Sequence, residues 1–321
     1  MERREFVAGL ATAGAFMAVV SRGGAQAQSW PAKDIELLVG QGAGGTTDLV
    51  ARAVATAMEP DLRRTIIIKN TPGAASNAAI AQLVASPPDG YRMVTIGVSN
   101  FLAPYTTDAT FDPWALTPIG VAGEIVYGIG VGRNSPAKSI AELVALGKTK
   151  TVSYTSSAVA GTRAMAQLGK LTGAKFRWIP TTGGPEAVLQ AAGGHVDAVI
   201  QAPADMVPMI ESGELRLLAS AGRVRWPAYP EVKTLIEQGY DAVSLSFVGF
   251  AAPPKLDVAI QKRLEAAFVA ACAKPEVSAA IAKFGLVPSG TPGSDLTRLV
   301  KESAPDLIAI LSEAGMLKKK P

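Results

Sequence analysis

The densest chemical signal in the chain is a run of nine residues after its first apolar stretch, Gly40-Gln41-Gly42-Ala43-Gly44-Gly45-Thr46-Thr47-Asp48. Gly40, Gly42 and Gly45 fit G-x-G-x-x-G, the spacing of a dinucleotide-binding turn. That fingerprint expects an acid at the end of the second strand to hold the ribose. Lys69 and Asn70 stand there instead, so no nucleotide or other cofactor is expected. The physics of the turn survives that rejection. Glycine lets backbone approach a ligand closely, and a following helix offers unpaired N–H groups at the positive end of its dipole. Such a turn is an anion site without a basic side chain, and a carboxylate fits it as well as a phosphate. Asp48 falls in the first helical turn, where an acid also stabilises the helix end. The alternative is a tight strand-to-helix turn that binds nothing.

Two further polar turns stand before expected helices. One is Thr155-Ser156-Ser157-Ala158-Val159-Ala160-Gly161-Thr162-Arg163, and the other is Thr181-Thr182-Gly183-Gly184-Pro185. Their hydroxyls and N–H groups could close over the far end of a ligand. Helix capping by Ser and Thr explains them equally well. Arg163 either makes a bidentate contact to a carboxylate or is a solvated helix-start residue.

Other chemistries find few residues. The single histidine, His195, lies in Gly193-Gly194-His195-Val196-Asp197 and reads as a turn before a strand. One histidine cannot build a histidine-rich zinc site. No G-x-S-x-G elbow is present and no base is evident for any serine, which argues against a secreted hydrolase. Cys272 is the only cysteine, so no internal disulfide forms. Its neighbours Phe268 and Ala271 mark it as a small core residue.

Of 321 residues, 48% are hydrophobic and 18% charged, enough for a substantial core and wrong for disorder. The formal net charge is +4, of which Lys318 to Lys320 supply +3 and residues 1–27 supply +1. The body is therefore close to neutral, with no basic block or motif for nucleic acid. Residues 1–27 read as a signal peptide: Arg3 and Arg4 ahead of Phe6, an apolar run from Val7 to Val20, then Ala25-Gln26-Ala27. The arginine pair looks like a twin-arginine export signal. The run is short of the roughly 20 residues that span a bilayer, which weighs against the alternative of a membrane anchor. Cleavage after Ala27 would leave an exported, soluble chain starting at Gln28.

The elements that must position these turns alternate. Strands are expected at Ile35 to Val39, Thr65 to Lys69 and Arg92 to Gly97, with helices over Leu49 to Met58 and Asn77 to Ala85. Four more strands follow at Thr151 to Tyr154, Phe176 to Ile179, Val196 to Ile200 and Leu215 to Ala219, with helices between. Ser139 and Glu142 form an expected capping box. The last third reads as helical over 255–273, 275–284 and 293–314. This pattern implies α/β architecture, each sheet mainly parallel and flanked by helices. Extended segments at Gly123 to Val131 and Ser244 to Ala252 are long enough to run between two lobes. Ligands of open parallel sheets bind beyond the carboxyl ends of the strands, so a cleft between the lobes is expected.

The order of motifs resembles the periplasmic solute-binding receptors of tripartite tricarboxylate transporters, the TctC or Bug family. The likeness is carried by Ala43 to Asp48, Asn70-Thr71-Pro72-Gly73-Ala74, Pro88-Asp89-Gly90-Tyr91 and Gly193 to Asp197. Ser212-Gly213-Glu214-Leu215-Arg216, Tyr229-Pro230-Glu231-Val232, Gly239-Tyr240 and Gly249-Phe250-Ala251-Ala252-Pro253 continue it. The resemblance implies a two-lobed periplasmic binding protein of the type II kind. Lobe 1 would comprise 28–123 with 248–321, and lobe 2 124–247. It implies capture of a small carboxylate by a periplasmic monomer without enzymatic activity, and delivery to permease subunits in the membrane. Service as a ligand-sensing partner of a membrane kinase is the alternative. First-lobe contacts would be Gln41, Ala43, Gly44, Gly45, Thr46, Thr47 and Asp48, with Asn77 and Ser99 nearby. Second-lobe contacts would be Ser156, Ser157, Thr162, Arg163, Thr181, Thr182, Gly183, Gly184 and Gln201, with Phe247 near the hinge. Gln41, Ala164, Thr181, Thr182 and Gln201 depart from residues common in the family, which affects ligand choice more than fold.

Overall fold

The architecture follows from where the chain has to cross between two sheets. In the computed structural model, which describes residues 30–72, 76–181, 183–283 and 285–318, the first sheet begins with β1 (Ile35–Val39), β2 (Ile66–Asn70) and β3 (Arg92–Ile96). These three run parallel, with β1 central. Four of the five β1 residues are buried, which is why its sequence is a continuous apolar run rather than an alternation. Helices α1 (Thr46–Leu62) and α2 (Asn77–Val84) make the crossovers. The signal segment 1–27, Gly73, Ala74, Thr182, Phe284, Lys319 and Lys320 lie outside the described residues.

After β3 comes α3 (Val98–Thr106), then β4 (Thr117–Glu124), which carries the chain out of the first sheet. The chain returns on β10 (Phe247–Ala252), paired antiparallel to both β3 and β4. A strand that leaves a sheet and one that comes back beside it must run in opposite senses. The expectation of mainly parallel sheets therefore holds for only one half of each. The final strand, β11 (Val287–Pro292), adds antiparallel to β4 at the edge. Its two prolines hid it in the sequence, and an edge is where prolines are tolerated in a sheet. The order is β11-β4-β10-β3-β1-β2.

The second sheet repeats the scheme. It contains β5 (Gly128–Gly132), β6 (Val152–Ser156), β7 (Phe176–Pro180), β8 (Ala198–Gln201) and β9 (Leu215–Ser220), in the order β7-β6-β8-β5-β9. β6 is parallel to β7 and β8, while β5 is antiparallel to β8 and β9. The intervening helices are α4 (Ile140–Thr149), α5 (Val159–Thr172), α6 (Gly184–Ala192) and α7 (Pro203–Glu211). Ser139 Oγ accepts from Glu142 N–H at 3.2 Å. The Glu142 carboxylate accepts from Lys138 N–H rather than from the cap residue, so the expected box closes one residue early.

Helices α8 (Val258–Cys272), α9 (Pro275–Lys283) and α10 (Gly293–Glu313) return to the first sheet. α8 packs on α1 and β4, and α10 packs on β4 and also on α5 of the second sheet. No helix among the described residues is long and apolar enough to cross a membrane. Cys272 is buried, and burial pushes its thiol up to about 12.

Trp226 anchors the second sheet. Its side chain is buried and Nε1–H donates to Val126 O at 2.9 Å. The indole lies so close to β5 that a Cβ on Gly128 would sit 2.4 Å from its Cζ2. Truncation would open a cavity and orphan the Val126 carbonyl. Trp226→Ala is expected to lower unfolding free energy by about 3–5 kcal/mol, read from urea denaturation. A loss below about 1 kcal/mol would show that the indole is not the anchor.

Candidate functional site

The glycine-rich turn folds as an internally satisfied unit. Asp48, 1% exposed, points back into it. Its Oδ2 accepts from Gly44 N–H at 2.8 Å and from Arg52 Nε at 2.9 Å, and its Oδ1 accepts from Asn70 Nδ2 at 2.8 Å. Asn70 also donates to the Gln41 carbonyl at 3.1 Å and accepts from Arg52 Nη2 at 3.1 Å. Gly45 N–H is directed to Gly42 O. Gly44 is left-handed at φ 80°, which a glycine adopts without strain. Desolvation pushes the Asp48 carboxyl up, but hydrogen bonds from Arg52, Gly44 and Asn70 outweigh it and hold the group below its usual range.

This geometry corrects the simplest reading of the motif. Two of its N–H groups serve the turn itself, and Asp48 supplies the negative charge that the α1 N-terminus favours. Ala43, Gly44, Gly45 and Thr46 are exposed at a rim. Gly40 has a packing role, since a Cβ there would lie 2.2 Å from Ser76 Cβ.

Beside the rim is a cavity of about 360 Å³ reached by segments of both sheets. Of the expected contacts, Gln41, Thr47, Ser99, Ser157 and Phe247 line it. So do Thr95 at the end of β3, Asn100 in α3, and Tyr127 and Ser246 in the crossing segments, none of which the sequence singled out. α3 went unread because Pro104 interrupts it. The signal that could have found it is apolar spacing at Val98, Phe101 and Leu102, with Asn100 reaching back to cap Gly97 N–H at 2.8 Å.

No lining residue carries a charged side chain. What faces the cavity is a set of helix starts. Ser76 stands at the N-cap position of α2 without a side-chain capping bond, Gly97 to Asn100 open α3, and Ser157 to Ala160 open α5. These three helices have no acid in the cap or first turn. Every other α-helix of the described residues has one: Asp48 in α1, Glu142 in α4, Glu186 in α6, Asp205 in α7, Asp257 capping α8, Glu276 in α9 and Asp295 in α10. The uncompensated helix ends are thus the ones that meet at the cavity. Thr95 Oγ1, buried in its wall, has no hydrogen-bond partner among the described residues.

The remaining expected contacts stand behind or away from the cavity. Asn77 is buried and accepts from Asn100 Nδ2 at 3.3 Å. Ser156 and Thr162 are buried and bond within the start of α5, to Ala158 O at 3.0 Å and Val159 O at 2.7 Å. Arg163 does not reach the cavity. Its Nε lies 3.3 Å from Asp306 Oδ2 on α10, and its Nη1 donates to Val243 O at 3.1 Å. Both readings offered for it from the sequence give way to an ion pair joining α5 to α10. Thr181 Oγ1 bonds to Gly183 O at 3.3 Å at the start of α6. Gly184 is buried against Gln201 and Asp205. Gln201 is buried behind Ser157, to which its Nε2 donates at 2.6 Å. His195 occupies an exposed turn. No group of three or more His, Cys, Asp or Glu able to hold a metal ion occurs among the described residues.

Residues 50–316 match the family described as tripartite tricarboxylate transporter family receptor, TctC. A Cupriavidus necator protein named only as a UPF0065 protein in the gbd 5' region is 32% identical over 327 residues, 99% of each chain. Among solved structures, a TctC solute binding protein from Polaromonas superposes with a TM-score of 0.78 at 23% identity, over 88% of this chain and 99% of that one. Rpa4515 of R. palustris, solved with adipate, gives 0.69 at 24% identity, over 89% and 98%. These likenesses show the two-lobed α/β periplasmic binding protein fold.

The Asp48 network predicts an acid-sensitive turn. Because the folded-state value is lowered, its contribution is fully present above the ordinary carboxylate range, about pH 4, and is lost as pH falls through the lowered value. Asp48→Ala is expected to cost about 1–3 kcal/mol near neutrality. The gap in melting temperature between variant and parent should narrow only below about pH 4. A gap independent of pH down to that range and through it would show that the carboxylate charge is not what holds the turn.

Proposed function

The chain belongs to the tripartite tricarboxylate transporter receptor family, a family of periplasmic solute-binding proteins, and from that premise we propose that it captures a small organic carboxylate in the cavity between its lobes. The observation that carries this reading is the meeting of three helix starts without acids on a cavity without charged side chains. Helix N-termini favour anions by charge and by their free N–H groups. A cationic solute would be repelled by those helix ends, and a neutral one would leave their partial positive charge uncompensated.

Magnitudes are adequate. Micromolar capture needs about 8 kcal/mol. Three helix ends at about 0.3–1 kcal/mol each and three charge-assisted hydrogen bonds at about 1.5–3 kcal/mol each reach that range. The lobes assigned are 28–123 with 248–321, and 124–247. Sheet membership supports them, because the chain leaves the first sheet at the end of β4 and rejoins it at the start of β10. Ligand contacts drawn from both lobes favour a closed form by differential binding. Delivery to the membrane permease subunits, export through residues 1–27 and a monomeric, non-enzymatic state complete the proposal. Of the residues named from the sequence, Gln41, Thr47, Ser99 and Ser157 are assigned direct contact, with Phe247 as an apolar wall at the hinge.

A thermal-shift panel of mono-, di- and tricarboxylates tests the chemical class. A ligand at 100 times its Kd raises apparent stability by about 2.7 kcal/mol. A melting temperature moved by a sugar or an amine, and by no carboxylate, would overturn the proposal. A second test introduces the missing acid. Ser99→Asp places a carboxylate in the first turn of α3, which ordinarily favours a helix. The variant is expected to melt no lower than the parent and to bind the best carboxylate on the order of 100-fold more weakly. Unchanged affinity, measured by titration calorimetry, would remove the helix starts from the account.

A further inference from the structure

We infer that Gln201 and Asp205 are positioning residues that fix the Ser157 hydroxyl as a hydrogen-bond donor into the cavity. The inference rests on the carboxylate-binding proposal and adds to it how the second lobe's wall acquires its polarity. Neither residue lines the cavity; they act through the serine that does.

Ser157 stands just past the end of β6, at the mouth of α5. Gln201 ends β8, is 3% exposed, and donates from Nε2 to Ser157 Oγ at 2.6 Å. A hydroxyl has one hydrogen to give and lone pairs to receive with. Ser157 already receives, and its hydrogen meets no acceptor in the protein among the described residues, while the side chain borders the cavity. A free hydroxyl would present either polarity to a solute. With one of its two lone pairs taken by Gln201, this one keeps its hydrogen free, the group that an anion engages.

The arrangement holds only if the Gln201 amide cannot turn over, and Asp205 prevents that. Its carboxylate stands beside the Gln201 amide nitrogen, where their opposite partial charges attract. The two groups crowd one point: a Cβ on Gly184 would lie 2.1 Å from Asp205 Oδ2 and 2.4 Å from Gln201 Nε2. A flipped amide would set Oε1 against the carboxylate, oxygen to oxygen. In the observed orientation Oε1 is buried without a partner among the described residues, a cost that most buried polar groups avoid. Gly184 thus brings the start of α6 close enough to hold the pair. The first lobe has a matching contact, Gln41 Nε2 to Ser76 Oγ at 2.7 Å. There the donor, Gln41, itself lines the cavity, whereas Gln201 acts from behind it.

The test is a double-mutant cycle by titration calorimetry on the full mature chain. The probe is the strongest wild-type binder among acetate, benzoate, succinate, adipate and citrate. Ser157→Ala is expected to weaken it about tenfold, the loss of one charge-assisted hydrogen bond. Gln201→Leu should weaken it severalfold in the parent and have no further effect in the Ser157→Ala background. Equal effects of Gln201→Leu in the two backgrounds would overturn the inference, because the glutamine would then act independently of the serine.

Gln201→Glu keeps the volume but sets a carboxylate against Asp205, so melting temperature is read at each pH to verify its fold. The introduced carboxylate accepts from Ser157 and turns the serine's lone pairs toward the cavity. Binding at about pH 8 should fall below that of Gln201→Leu. It should recover toward about pH 5 as the introduced group protonates, while the parent stays flat. The titratable groups coupled at this position are Asp205 on α7 and Tyr127 in the crossing segment. A flat profile in Gln201→Glu also overturns the inference, and so does a profile that persists unchanged in Gln201→Glu combined with Ser157→Ala, because charge alone would then explain it. If none of the five probes binds the wild type, the carboxylate reading itself fails and this inference with it. Binding without coupling between positions 157 and 201 fails the inference alone.

Discussion

A helix start cannot be left unanswered inside a fold. The first N–H groups of an α-helix have no partner within it, and the aligned peptide dipoles add partial positive charge there. Seven of the described α-helices answer this locally, with an aspartate or glutamate in the cap or first turn. Helices α2, α3 and α5 do not, and all three open on one cavity. Much else in the structure follows from bringing them together. The crossing strands must place α3 of the first sheet opposite α5 of the second, and the walls must stay free of acids that would satisfy the helix ends permanently. On the proposed function, the solute supplies the charge that the sequence withholds. On that proposal no lysine or arginine is required, because backbone N–H groups and side-chain hydroxyls of both lobes would hold the ligand.

The glycine-rich turn illustrates the opposite solution. Asp48, Arg52 and Asn70 form a closed network that takes up Gly44 N–H and both carboxylate oxygens. The turn resembles a dinucleotide fingerprint because both need a left-handed or closely approached backbone between a strand and a helix. Here the close approach is to Ser76 and the negative charge is the protein's own. The motif shapes the rim, and its neighbours Gln41 and Thr47 reach the cavity.

Behind the cavity the two lobes are joined by more than the crossing strands. Arg163, Gln167 and Lys170 on α5 all engage Asp306 on α10, at 3.2–3.3 Å. Gln167 also accepts from Val243 N–H at 3.0 Å. These contacts lie along α5 beyond its first turn, so on the proposed function one helix would meet the solute at its mouth and the opposite lobe along its length. Trp226, packed on β5 and bonded to Val126, stiffens the segment through which the chain enters the second lobe.

Patterns of local origin were legible in the sequence. The apolar run of β1, the helical spacing of α1, the Ser139 cap and the strand–helix alternation each depend on residues a few positions apart. The order of motifs carried the family, and of the contacts expected from it Gln41, Thr47, Ser99, Ser157 and Phe247 line the cavity. Only the tertiary structure decided the rest. Asp48 and Arg163 look like ligand groups in sequence because each is charged and stands at a helix start. Partners 22 and 143 positions away, Asn70 and Asp306, were what claimed them. Thr95, Tyr127 and Ser246 carry no local signal, since a polar residue beside a strand becomes a wall only when another sheet faces it. The antiparallel halves of the sheets arose the same way, from a chain that must leave and return. Sequence spacing fixes which helix starts lack an acid, but only long-range packing brings those three starts to one place.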